Sequence, residues 1–264
     1  MSSIPRAVPT GRSQFLERVA DEADQEAADG ATIDARLVAL TDPMGTAAEQ
    51  YRMLLHRLRY AKAVRGGAHA TGGTVVAVTS SVRGEGVSIT AANLALTAAR
   101  SRDSRVALVD CDLRRGSIAR LFGTGARPSG LSELLAGKCE TGEALSRYQE
   151  GQLAIIPAGK PAGESASLLA SPAFGELLAQ LRNLFDEVFL DVPPALATAD
   201  AAIVAHKCDG VVLVVRADVT PREQIASAIR TLAGAQVWGM VLNGVEPSRV
   251  PAPLPVVKGQ LVGR

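Results

Sequence analysis

Residues 74–88 read TVVAVTSSVRGEGVS. A run of Val and Thr suits a strand, and a glycine-containing turn follows it at once. Gly84 and Gly86 permit a tight turn there. A Gly-rich turn between strand and helix gathers successive backbone N–H groups into a nest for phosphate. Ser88, at the start of a helix predicted over about 88–100, could offer its hydroxyl oxygen to Mg²⁺. The position where a phosphate-binding lysine belongs is Val87. Taken alone, such a turn is at least as often purely structural.

Outward from this point the chain alternates between apolar strands and helical stretches. RVALVDCD (105–112), QLAIIPAG (152–159), EVFLDVPP (187–194), GVVLVVRAD (210–218) and VWGMVLNGV (237–245) read as strands. GLSELLAG (130–137) reads as helical, and a long helix is predicted from about 166 to 185. Before the first strand a helix is expected from near Asp42, with Pro43 in its first turn. Tyr51, Leu54, Leu55 and Leu58 give it one apolar face. Before the last strand, Thr220 can cap a helix whose first position is Pro221. Continuously apolar strands separated by helices predict an α/β fold, a predominantly parallel sheet covered on both faces. Ligands bind such sheets at the carboxyl ends of the strands.

Acidic residues fall at those ends. Asp110 and Asp112 are two apart, so both emerge on one side of the strand tip. Two acids there suit a Mg²⁺ shell, although a solvated strand end is the plain alternative. Asp191 follows an apolar run, the form of a Walker B aspartate held near the metal. A Gly-rich turn and two acidic strand ends in this order point to the P-loop NTPase architecture.

Composition sets the bounds. The chain has 264 residues, 47% hydrophobic, so a large core can be buried. Aromatics are only 3%, which leaves Ala, Val, Leu and Ile to build that core. With 28 Lys+Arg against 27 Asp+Glu the net charge is +1, giving no case for a nucleic-acid surface. Cys111, Cys139 and Cys208 are odd in number and lack a CxxC pair, which fits a reducing, cytoplasmic setting. No apolar run approaches a membrane span, and the opening MSSIPRAVPTGRSQ has no secretory h-region. Residues 1–40 read as a mobile arm, either a solvated leader or a docking segment. Residues 41–246 form the domain, and 247–264 a proline-containing tail without tyrosines. His56, His69 and His206 are scattered and form no catalytic set.

From about residue 42 to 246 the chain resembles the bacterial tyrosine kinases (BY-kinases) of the CpsD/CapB and Wzc kinase-domain type. Their phosphate loop, S-x-x-P-G-E-G-K-S, is matched by Ser80 through Ser88 apart from Arg83 and Val87. Three apolar residues followed by D-x-D-x-R are met in full by Ala107 through Arg114. Apolar residues followed by D-x-P-P are met in full by Val188 through Pro194. The resemblance implies ATP or ADP with Mg²⁺ as cofactors. Gly84, Glu85, Gly86, Val87 and Ser88 would surround the phosphates, and Asn243 would lie near the adenine. Ser88, Asp110, Asp112 and Asp191 would hold the metal, the three aspartates also serving catalysis. It further implies control of capsule or exopolysaccharide export, with the cytoplasmic segment of a Wzz/CpsC-like membrane co-polymerase as partner. That partner would recruit the protein to the inner face of the membrane.

The chain departs from the family pattern in three places. Val87 replaces the lysine, which should impair phosphoryl transfer more than binding. The tyrosines are Tyr51, Tyr60 and Tyr148, with none in the tail, so tail autophosphorylation is not expected. The ring-assembly motif E-x-x-R-x-x-R appears as Glu49, Arg52 and Leu55, which alters any homo-oligomer interface, with an apolar contact through Leu55 conceivable. A pseudokinase or adaptor is therefore expected. The alternative is an active kinase acting on another protein, with Arg83 supplying the missing charge. A MinD/ParA-type ATPase shares the fold, but its signature lysine would fall at Val82.

Overall fold

The computed structural model describes residues 32–65, 72–101, 104–124, 129–148, 152–246 and 249. Its centre is β1 (Thr74–Ser80), every residue of which is buried. β5 (Glu187–Asp191) and β6 (Gly210–Arg216) flank it in parallel. With β2 (Val106–Asp110), β3 (Ser146–Tyr148), β4 (Leu153–Ile156) and β7 (Val237–Asn243), the described strands form one sheet in the order β3-β4-β2-β5-β1-β6-β7. All pairs are parallel except β3 with β4. The expected α/β class, predominantly parallel, is borne out.

Alternate side chains of each central strand enter two cores. On one face Val75, Ala77, Val109, Leu190 and Leu213 pack against Phe174, Leu177 and Leu181 of α8 (Pro172–Leu184). On the other, Val76, Val78, Leu108, Phe189 and Val212 meet Leu94 and Leu96 of α3 (Val87–Ala99) and Leu55 and Leu58 of α2 (Thr46–Arg65). Burial on both faces explains why the strands are continuously apolar.

Four expectations need correction. The predicted helix over 166–185 is two helices, α7 (Ser165–Ala170) and α8, because Ser171 is extended before Pro172. The first long helix begins at Thr46, not near Asp42. Pro43 lies in the preceding turn, where its carbonyl accepts from Arg52 Nη1 (2.8 Å). Residues 32–40, assigned to the arm, pack on the domain: Leu37 is wholly buried and leads into α1 (Val38–Thr41). Leu55 is 5% exposed inside the second core, so it offers no contact to another copy. Residues 1–31, His69 and nearly all of the tail lie outside the described residues.

Asn93 fastens that early segment. Its Oδ1 accepts from Ala39 N (2.9 Å), and its Nδ2 donates to the carbonyls of Arg36 (3.0 Å) and Ile89 (2.9 Å). A fully buried amide is thus shared between α3 and residues 36–39. At the amino end of the sheet, Arg182 and Asp209 form a buried ion pair at 2.5 Å. Arg182 Nη1 also donates to the Gly73 carbonyl (2.9 Å), and Asp209 Oδ2 accepts from Val75 N (2.8 Å). Among the described residues no helix is long and apolar enough to cross a membrane.

Candidate functional site

β1, β2 and β5 end side by side, and the loops that leave them enclose a cleft of about 320 Å³. Gly84, Gly86, Val87 and Ser88 line it, together with Asp112, Asp191 and Arg83. Gly84 (φ 84°) and Gly86 (φ 95°) adopt the left-handed conformation that the turn requires. A Cβ on Gly86 would sit 2.1 Å from Asn243 Nδ2. Val87 is the first residue of α3, so a side chain there stands beside the nest of N–H groups.

Glu85 does not face the cleft. It is 2% exposed and turned into the loop, where Oε2 accepts from Ser81 N (2.7 Å) and Val82 N (2.9 Å). Its Oε1 accepts from Arg216 N (3.2 Å) and from the Thr220 hydroxyl. Thr220 is thereby diverted from the expected capping role, and α10 (Arg222–Thr231) begins one residue beyond Pro221. Asn243 Nδ2 donates to the Glu85 carbonyl (2.8 Å) and Asn243 is not among the cleft residues. The side chains of both residues shape the loop, Glu85 from within it and Asn243 from the end of β7.

Asp110 is likewise engaged by the protein's own backbone. Its oxygens already accept from the backbone N–H groups of Asp112 (3.1 Å), Ser117 (2.7 Å) and Ile118 (3.0 Å). It is fully buried and does not line the cleft. The bonds to Asp110 shape the 112–118 turn, which presents Asp112. Burial pushes its carboxyl up to about 6 against the pull of those N–H donors, with Asp112 repulsion adding to the rise.

Asp191 differs. Its Oδ2 is buried with no hydrogen-bond partner among the described residues. Burial first, and then the Asp110 charge, push its carboxyl well above the usual range, while a hydrogen bond with Ser88 opposes the rise. An orphaned carboxylate oxygen, a hydroxyl beside it and Asp112 at the mouth fit a hard cation. Among the described residues no three acidic, imidazole or thiol side chains could hold a metal by themselves. That suits Mg²⁺, which keeps waters and takes one or two carboxylates plus phosphate oxygens. Ser88, Asp112 and Asp191 would hold it, and bound there it would neutralise phosphate charge.

A prediction follows from the orphaned oxygen. Asp110 and Asp191 both titrate above the unfolded value of about 3.9. Their contribution to stability is complete below about pH 4 and is lost as pH rises through the folded values. Asp191→Asn escapes its share of that loss. The ligand-free variant should be more stable than the wild type by about 1–3 kcal/mol at pH 8, a gain that shrinks toward pH 4. Mg²⁺-dependent thermal stabilisation by ATP should vanish with the same change. Parallel melts at the two pH values check both statements.

Arg83 Nη1 stands 3.6 Å from Asp112 Oδ2, so its guanidinium is at the cleft as expected. Two further cationic residues, Arg36 and Arg120, line the cleft. Neither belongs to a recognisable motif, and only the fold brings them to the loop.

The comparisons agree with this geometry. Tyrosine-protein kinase YwqD of Bacillus subtilis is 32% identical over 222 residues, covering 83% of this chain and 90% of that protein. Tyrosine-protein kinase Wzc of Salmonella typhi is 33% identical over 214 residues, covering 80% of this chain but 28% of that longer protein. The kinase domain of the Escherichia coli tyrosine kinase ETK superposes with a TM-score of 0.75 at 27% identity, over 91% of this chain and 90% of that one. No protein-family model matches the sequence.

Proposed function

The chain belongs to the bacterial tyrosine kinase family, and on that premise we propose that it is a pseudokinase, an adaptor that binds ATP·Mg²⁺ and regulates capsular or exopolysaccharide synthesis and export. The observation that carries this reading is Val87 at the head of α3, within a cleft that keeps Ser88, Asp112 and Asp191. Backbone N–H groups and the metal site support binding without a lysine. Transfer is another matter, because the missing ammonium would meet charge that grows as the bond to the leaving oxygen breaks. The nucleotide then serves as a signal, changing the face shown to the cytoplasmic segment of a membrane co-polymerase. Of the three tyrosines, Tyr51 is mostly enclosed against the second core, and Tyr60, at 67% exposure, is the open one.

The test is phosphotyrosine formation by the purified protein beside a lysine-containing relative, with calorimetric titration by ATP·Mg²⁺. Measurable binding with transfer at least about a hundredfold slower is expected. Transfer within tenfold of the relative overturns the pseudokinase reading. The position of Arg83 favours a second reading, an active kinase acting on another protein, and Arg83→Ala would then abolish activity.

A further inference from the structure

The cleft carries more positive charge than its sequence motifs supply. Arg36, Arg83 and Arg120 line it, against the carboxylates of Asp112 and Asp191. Arg83 is held by Asp112. Arg36 forks its neighbour Asp34, with Nε to Oδ1 at 2.9 Å and Nη2 to Oδ2 at 2.7 Å, and its side chain is 66% exposed. Arg120, in the last turn of α4 (Ile118–Leu121), has no ion-pair partner among the described residues. The two segments are joined, since Asp34 N donates to the Leu121 carbonyl (3.0 Å). The Asp34 carboxyl is held down at about 2, chiefly by the side-chain and backbone hydrogen bonds from Arg36, with Arg120 adding a smaller pull.

We propose that Arg120 and Arg36 supply the cationic contacts to the nucleotide's phosphates, in place of the lysine absent at position 87. The proposal rests on the nucleotide reading above and adds to it the residues that select a polyphosphate. Arginine suits the task, since its planar fork meets phosphate oxygens in pairs and stays charged at any working pH. Arg120 makes no close ion pair among the described residues and feels the Asp34 charge only weakly, in a lining that already includes the phosphate loop. Arg36 needs only to exchange the Asp34 carboxylate for a phosphate of the same geometry. Its backbone is held in place for that exchange, because Asn93 grips the Arg36 carbonyl from α3, the helix that begins at the phosphate loop. Discrimination should follow phosphate number: ADP and ATP engage the pair, and AMP does not.

Calorimetric titration of the full chain with AMP, ADP and ATP, each with Mg²⁺, tests this. Arg120→Ala and Arg36→Ala should each weaken ADP binding about tenfold, and the double variant by more. Asp34→Asn should act in the opposite sense, tightening ADP binding by releasing Arg36, a result that a merely structural Asp34–Arg36 pair would not give. Thermal midpoints without nucleotide should barely move for the arginine variants. A double variant that binds ADP within twofold of the wild type overturns the proposal and leaves the nucleotide reading standing. Failure of the folded wild type to bind any of the three overturns both.

Discussion

Val87→Lys is expected to tighten ATP·Mg²⁺ binding about ten- to a hundredfold, and to raise phosphotyrosine formation by a larger factor. A charge-assisted bond to phosphate contributes about 1.5–3 kcal/mol in the ground state. The contribution grows in the transition state, where negative charge moves onto the oxygens that the ammonium faces. The site can accept the change. Val87 is half-buried at the first position of α3, packed along the edge of the second core and lining the cleft. A lysine stem can keep that apolar contact while its head reaches the loop. Titration calorimetry and an anti-phosphotyrosine assay read the two effects separately. A folded variant with unchanged affinity and unchanged transfer would show that an ammonium at position 87 does not reach the nucleotide.

The largest stability effect is expected at the other end of the sheet. Arg182→Ala or Asp209→Ala should each cost about 3–5 kcal/mol, which for a domain of this size lowers the melting midpoint by roughly 10 °C. The reason is what stays behind. Without Arg182, a carboxylate 2% exposed keeps one oxygen on Val75 N and has no counter-charge. Without Asp209, the guanidinium keeps the Gly73 carbonyl, but its Nη2 already lacks a partner. The paired change Arg182→Met with Asp209→Leu removes both charges and should cost much less than either single alanine change. Chemical denaturation of the three variants decides the point. A single-variant loss under about 1 kcal/mol would mean that water reaches the pair.

Much of this fold is legible because the strands that carry it are buried on both faces. β1, β2, β4, β5, β6 and β7 fall within the stretches read as strands. β3 escapes detection for the opposite reason. It is three half-buried residues on an antiparallel edge, too short and too polar to leave a pattern. At the site, Gly84, Gly86, Ser88, Asp112 and Asp191 reach the cleft as their spacing requires. Glu85, Asp110 and Asn243 reach the neighbourhood with side-chain atoms already engaged by the loops. Spacing locates a side chain at a strand tip or in a turn; it does not say which backbone donors will occupy its lone pairs. Arg36 and Arg120 illustrate a further limit, being brought to one cleft by packing between segments 84 residues apart.

The grip of Asn93 on residues 36–39 settles where this protein can be cut. A shortened version starting at residue 41, the boundary drawn from composition, would lose Leu37 and Ala39 from the second core. It would also strip the Asn93 amide of two of its three backbone partners, in the middle of the helix that begins at Val87. Such a fragment would report a damaged pocket and be mistaken for an incompetent enzyme. Dissection should begin upstream of Ile33, and an affinity handle placed there needs a spacer long enough to leave that seam undisturbed.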